Sequence, residues 1–152
     1  MSDQDTSLGG SITTIEITTS TINNLFDNVS SAESLSGDTE YRCVYLKNAN
    51  SLSTMLGTKV WIQTNTPNAG SSIEIGLGTS AVNGTEQVCA NESTAPTGVT
   101  FSTAIDVTNA LNVGDIPPAQ HKAIWIKRII NTNSSAYTND SAVIRIQCES
   151  SA

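Results

Sequence analysis

Charge is scarce in this sequence, and positive charge scarcest: seven Lys and Arg stand against fourteen Asp and Glu in 152 residues, a formal net charge of −7. A chain that acidic, with no basic stripe, repels phosphate backbones, so direct nucleic-acid binding is not expected. Histidine occurs once, at His121. A Ser-His-Asp triad or a histidine-based metal site would have to be built around that residue alone, and a histidine at the surface or at a strand end is the simpler reading. The three cysteines, Cys43, Cys89 and Cys148, form no C-x-x-C pair and are odd in number. That argues against a zinc knuckle and against a complete disulfide framework, and leaves buried free thiols. No apolar run approaches membrane-spanning length, and Met1 to Gly10 lacks the apolar stretch of an export signal. No membrane partner is expected, and synthesis in a cytoplasm is. The strong helix formers Leu, Glu, Lys and Gln are few.

What is present is Ser, Thr and Asn, 20, 20 and 14 residues respectively, over a third of the chain. Thr is a β-branched strand former, while Ser and Asn favour turns and caps. Apolar runs recur along the whole length, which separates the chain from disordered sequences of similar polarity. Strands are expected at Ile12 to Thr18, Glu40 to Asn48, Thr58 to Thr64, Ser72 to Leu77, Val99 to Val107, His121 to Ile130 and Ser141 to Cys148, with a short segment at Gln87 to Ala90. Ser72 to Leu77 alternates as though one face were wet. His121 to Ile130 is apolar on both parities and follows Pro117 and Pro118, which a strand cannot run through; it reads as a central strand covered on both faces. Ser30 to Glu33 is a capping box, and Gly37 ends any helix there within two turns. The fold class is therefore all-β, a single antiparallel β-sandwich of about seven to eight strands, immunoglobulin-like or jelly-roll. A flexible N-terminal arm is expected over residues 1–11, with too little apolar surface to order itself, and the sandwich domain over residues 12–152.

No cofactor is expected. Asp38 with Glu40, and Asp106 with Asp115, are carboxylate pairs whose commoner role in Asn/Ser-rich loops is turn formation. Gly76-Leu77-Gly78 is not a phosphate loop, because no G-K-[ST] follows. Trp61, Trp125, Tyr41 and Tyr45 compose a sugar-stacking platform if exposed and core if buried, and aromatics among apolar strand neighbours are more often core.

Four segments carry a resemblance: N-N-L-F-D-N-V at Asn23 to Val29, G-D-T-E-Y-R-C-V-Y-L-K-N at Gly37 to Asn48, T-A-P-T-G-V-T-F-S at Thr94 to Ser102, and P-P-A-Q-H-K-A-I-W-I-K-R at Pro117 to Arg128. Together they resemble small β-sandwich virion proteins of tailed bacteriophages, over most of the chain beyond residue 20. Pro118-Ala119-Gln120 stands where a Pro-Gly-Gln turn would be expected. The resemblance implies a non-enzymatic virion protein, a head decoration or cement subunit that binds the outside of the capsid and stabilises it, with the major capsid protein as partner. The other class kept open is a receptor- or carbohydrate-binding module of a head or tail fibre. On the decoration reading, partner contacts are expected from Ser2, Asp3, Gln4 and Asp5 of the arm. Trp61 and Trp125 are expected on outward strand faces, where they would build a homo-oligomer, by preference a trimer.

Overall fold

β-Branched side chains lose less rotamer freedom on a pleated surface than in a helix, and the Ile-, Val- and Thr-rich segments accordingly become strands. The computed structural model describes residues 6–18 and 21–151. They form an all-β sandwich of eight strands and one short helix: β1 (Gly9–Gly10), α1 (Ser31–Ser36), β2 (Asp38–Lys47), β3 (Met55–Thr64), β4 (Ser71–Leu77), β5 (Glu86–Val88), β6 (Leu111–Ile116), β7 (His121–Ile130) and β8 (Val143–Ser150). The body is two antiparallel three-stranded sheets, β2–β7–β4 and β6–β3–β8, and β1 with β5 makes a small ribbon.

As its two apolar parities foretell, β7 is the middle strand of the first sheet, laddered to β2 from Lys47↔His121 to Asp38↔Ile130 and to β4 from Leu77↔Ile124 to Ser71↔Ile130. Its even residues Ile124 and Ile126 meet Ile73 and Ile75 of β4 and Val60 and Ile62 of β3 in the core between the sheets. Its odd residues Ala123 and Trp125 belong to a second core with Cys43 and Cys89, against which Leu8, Tyr41, Tyr45, Val99 and Phe101 pack. The first sheet is thus covered on both faces, by the second sheet within and by residues 7–10 and 86–101 without. Close approach of that outer cover explains two glycines. A Cβ on Gly76 would stand 2.5 Å from Val99 Cγ1 and 2.8 Å from the Thr100 carbonyl oxygen, and one on Gly78 would run into the Glu86 carboxylate and the Ala123 methyl. Hence the outward face of β4 is not wet, as its alternation suggested; Gly76 and Gly78 are buried.

Several expected elements come out differently. Ile12–Thr18 joins no ladder among the described residues. The outer flank of β2, one of the two edges of the first sheet, is taken instead by the carbonyls of Ser7 and Glu92, which accept from the Cys43 and Tyr41 amides. Residues 7–10 of the expected arm are correspondingly tied down: Leu8 O accepts from Cys89 N and Gly10 O from the Tyr45 hydroxyl. Val99–Val107 is not a strand. Ser102 exchanges both backbone bonds with Ile75 of β4, and two residues later the Ala104 carbonyl accepts from Ile62 of β3. A segment that crosses between sheets in two residues, with Ala104 at φ 32°, cannot stay straight. β6 was unforeseen because Asn112, Gly114 and Asp115 are poor strand formers; it pairs with β3 through register shifts, with Gly114 at φ 82°. The helix forms as its capping box requires, between Ser30 and Gly37.

Candidate functional site

The first sheet carries charge on its inner face at one end. Glu40 and Arg42 of β2 point the same way as Val44, and Arg128 of β7 lies opposite Glu40 in the ladder, so all three side chains enter the space between the sheets. There the Asn23–Val29 connection meets them. The Phe26 ring lies 5.3 Å from the Arg42 guanidinium carbon and 4.7 Å from that of Arg128, a double cation–π contact. Arg42 donates to the Glu92 carboxylate, to Leu25 O at 3.2 Å and to Tyr41 O at 3.2 Å. Arg128 donates to the Glu40 carboxylate, to Asp27 O at 2.8 Å and to Asp27 Oδ1 at 3.4 Å. Arg42, Glu40 and Glu92 are all buried. Burial pushes the Glu40 carboxyl above its ordinary value, and the hydrogen bond and charge of Arg128 pull it back.

One carboxylate oxygen each from Asp27, Glu40 and Glu92 lies within 4.8 Å of the others. Such a set suits a hard cation in principle. Here the three negative charges face two guanidiniums already paired with them, so an entering cation would have to compete with both arginines. The chemistry of the arrangement is that of a clamp, holding residues 25–27 and the loop at Glu92 to β2 and β7. A cleft of about 620 Å³ opens beside it, lined by Asp27, Asn28, Ser30 to Glu33, Asp38, Glu92 and Ser93 among others. Its wall is polar and acidic, with no apolar anchor larger than Ala32.

A second hub fixes the outer cover. Glu86 is buried and accepts from Thr79 N, Thr79 Oγ1 and Ser80 N. Burial works to raise its carboxyl, but these donors together outweigh it and hold the group down at about 2. Lys122 donates to Ser80 O and His121 Nε2 lies 3.3 Å from Gly84 O, so the strand mouth grips the same loop.

The residues named from sequence are distributed as follows. Ser2, Asp3, Gln4 and Asp5 lie outside the described residues. Trp125 is 0% exposed and Trp61 7% exposed. The expectation that these indoles offer outward apolar surface is therefore corrected: Trp125 fills the second core, and Trp61 is closed over in the second sheet with the Arg145 guanidinium 5.8 Å from its ring. The two tryptophans sit in different sheets and make no platform. His121 is buried at the strand end, edge-on to Tyr45 at 5.1 Å. Asp106 caps a turn by accepting from Thr108 N and Asn109 N, and Asp115 accepts from Gly57 N, so each carboxylate serves its own loop backbone. All three cysteines are free. Cys43 and Cys89 are buried but Cys148 is exposed, contrary to the expectation of three buried thiols. Burial, aided by the Glu86 charge, pushes the Cys43 thiol up to about 12, which makes it unreactive.

Sequence reasoning missed the Asp27–Glu40–Arg42–Glu92–Arg128 cluster. The available signal was two arginines at inward positions of apolar strands, since a buried guanidinium demands buried partners. Compared with protein-family models, with curated proteins and with solved structures, the chain gives no match.

Proposed function

We propose that this chain is a non-enzymatic virion protein, a decoration or cement subunit that binds the outside of a bacteriophage head and stabilises it as a homo-oligomer, by preference a trimer. The observation that carries the reading is where the four resembling segments fall in the fold. Asn23–Val29 supplies Phe26 and Asp27, Gly37–Asn48 is β2 with its lead-in, Thr94–Ser102 supplies Val99 and Phe101, and Pro117–Arg128 is the turn and most of β7. The resemblance thus covers one packed unit, with β2 and β7 at its centre, the arginine clamp on one face and the aromatic cover on the other. A likeness whose quoted segments converge on such a unit concerns the scaffold, and the scaffold is what a bracing protein exposes to selection.

The partner is the major capsid protein. An acidic chain favours a shell surface bearing Lys and Arg, and the arm residues Ser2, Asp3, Gln4 and Asp5 would meet it. Because residues 7–10 are tied to the protein's own body, the arm is tested by deleting residues 2–5 alone. On this reading the protein is found by mass spectrometry in purified virions and imaged on the head exterior, and the deletion lowers shell occupancy and resistance to heat. Absence from virions would sink the proposal; full occupancy by the deleted form would remove the arm's part in it.

A further inference from the structure

Among the described residues, one edge of the second sheet is open. β8 pairs with β3 on one side only, and both its parities are largely exposed, with Ile146 46% accessible although its side chain lies on the inward parity with Ile144. The register shows which backbone groups face out. Ile62 gives its amide to Ala104, on the flank away from β8. Its partner Ile144 therefore stands in a non-hydrogen-bonded pair, in which each residue turns its N–H and C=O away from the other. Ile144 and, two residues on, Ile146 thus present donors and acceptors along the free edge.

A segment of matching character lies elsewhere in the chain. Ile12–Thr18 has strand composition and alternation yet joins no ladder, and it holds Ile15 at 84% and Ile17 at 48% exposure. Laid antiparallel on β8 with Glu16 opposite Arg145, it brings Ile15 opposite Ile146 and Ile17 opposite Ile144. Glu16 and Arg145 would share the outer face, and neither has an oppositely charged partner among the described residues. Both isoleucine pairs would share the inner face, extending the core between the sheets. Opposite-charge and β-branched cross-strand pairs are the arrangements that stabilise such a ladder. A slip by one residue would set Ile15 and Ile17 on the solvent face, so the register is specified.

We propose that the Ile12–Thr18 segment of one copy adds as a fourth strand to the β8 edge of a second copy, so that each copy donates one strand and receives one. An exposed strand edge is the usual template for such pairing. This rests on the homo-oligomer of the proposed function but not on the virion: the interface belongs to the free protein, where it is measured.

The full chain, purified in reducing buffer, is expected to be oligomeric by native mass spectrometry at micromolar concentration. The double variant Ile15→Lys with Ile17→Lys is expected to be monomeric with an unchanged thermal midpoint at dilutions where the wild type is also monomeric, since both side chains are exposed. Glu16→Arg should weaken assembly about tenfold or more, and combining it with Arg145→Glu should restore it. Geometry is read separately from Thr13→Cys, which the register sets opposite the exposed Cys148: oxidation should yield covalent multimers on a non-reducing denaturing gel, lost again in the additional Cys148→Ser background. A wild type that stays monomeric, an Ile15→Lys/Ile17→Lys variant that stays oligomeric, or a disulfide to Cys148 that the Thr13→Cys variant forms only within one chain would each overturn the proposal. A protein that exchanges strands but is missing from virions would instead count against the decoration reading alone.

Discussion

β7 and β8 follow one another in the chain, are both rich in isoleucine, and meet opposite fates. β7 is the middle of a sheet covered on both faces, with Trp125 inaccessible on one and Ile124 and Ile126 buried on the other. β8 is an edge, and most of its residues touch water. The difference lies less in the strands than in what folds over them: residues 7–10 and 86–101 roof the first sheet, while among the described residues nothing pairs with the outer edge of β8 in the second. A strand needs its neighbours' sequences, as well as its own, to be buried.

The largest expected effect comes from opening the better-covered strand. Trp125→Ala should cost about 3 to 5 kcal/mol in denaturant unfolding, and Ile126→Ala about 2 to 5 kcal/mol, while Ile146→Ala in the monomer should cost less than about 1 kcal/mol. Equal losses in the two strands would erase the contrast.

Arg42→Ala comes next, because it takes the Arg42 charge from the buried Glu92 carboxylate and removes a guanidinium from the Phe26 ring inside the protein. Breaking a buried pair in this way costs about 3 to 5 kcal/mol. A smaller loss would mean that the clamp is wetter than its burial implies.

These charged positions mark how far the sequence could be read. β7 was legible because both its parities are apolar, and α1 because Ser30 and Glu33 sit at capping-box spacing. Gly76 and Gly78 were legible only as not being a phosphate loop; their real reasons, the crossing of Val99 and Thr100 over Gly76 and the approach of Glu86 and Ala123 to Gly78, are contacts between distant segments that periodicity does not record. Trp61 and Trp125 were legible as core through their apolar strand neighbours, and their assignment to an oligomer surface failed because alternation tells which face a side chain takes and not whether that face is roofed. The arginine clamp was unread because its members are scattered from Asp27 to Arg128 and come together only through the register of β2 on β7.

The roof itself is tested through Glu86, whose folded carboxyl, held at about 2, lies below its ordinary value of 4.5. A depressed carboxylate contributes stability that is fully present above the unfolded value and is lost as pH falls through the folded one. Stability should therefore decline between about pH 4.5 and pH 2, and Glu86→Gln should flatten that part of the profile while lowering stability near neutrality. An unchanged slope would show that the loop at Thr79 and Ser80 does not depend on this carboxylate.

The smallest effect has the opposite sign. Ala119 sits at φ 61° in the turn closed by Gln120 N to Pro117 O at 3.1 Å, just before β7. Left-handed backbone costs a non-glycine residue about 1 to 2 kcal/mol, partly offset by the greater entropy glycine loses on folding. Ala119→Gly should then raise stability by about 0.5 to 1 kcal/mol, and a loss would mean that the turn relaxes in solution.

The contrast between the two strands is read most directly by amide hydrogen exchange at two protein concentrations. The amides of β7 should be protected to nearly the global unfolding free energy at both. Those of Ile144 and Ile146 should exchange quickly in the dilute monomer, become protected where the protein assembles, and lose that protection in the Ile15→Lys/Ile17→Lys variant. Fast exchange along β7, or protection of Ile144 and Ile146 that ignores concentration, would contradict the account.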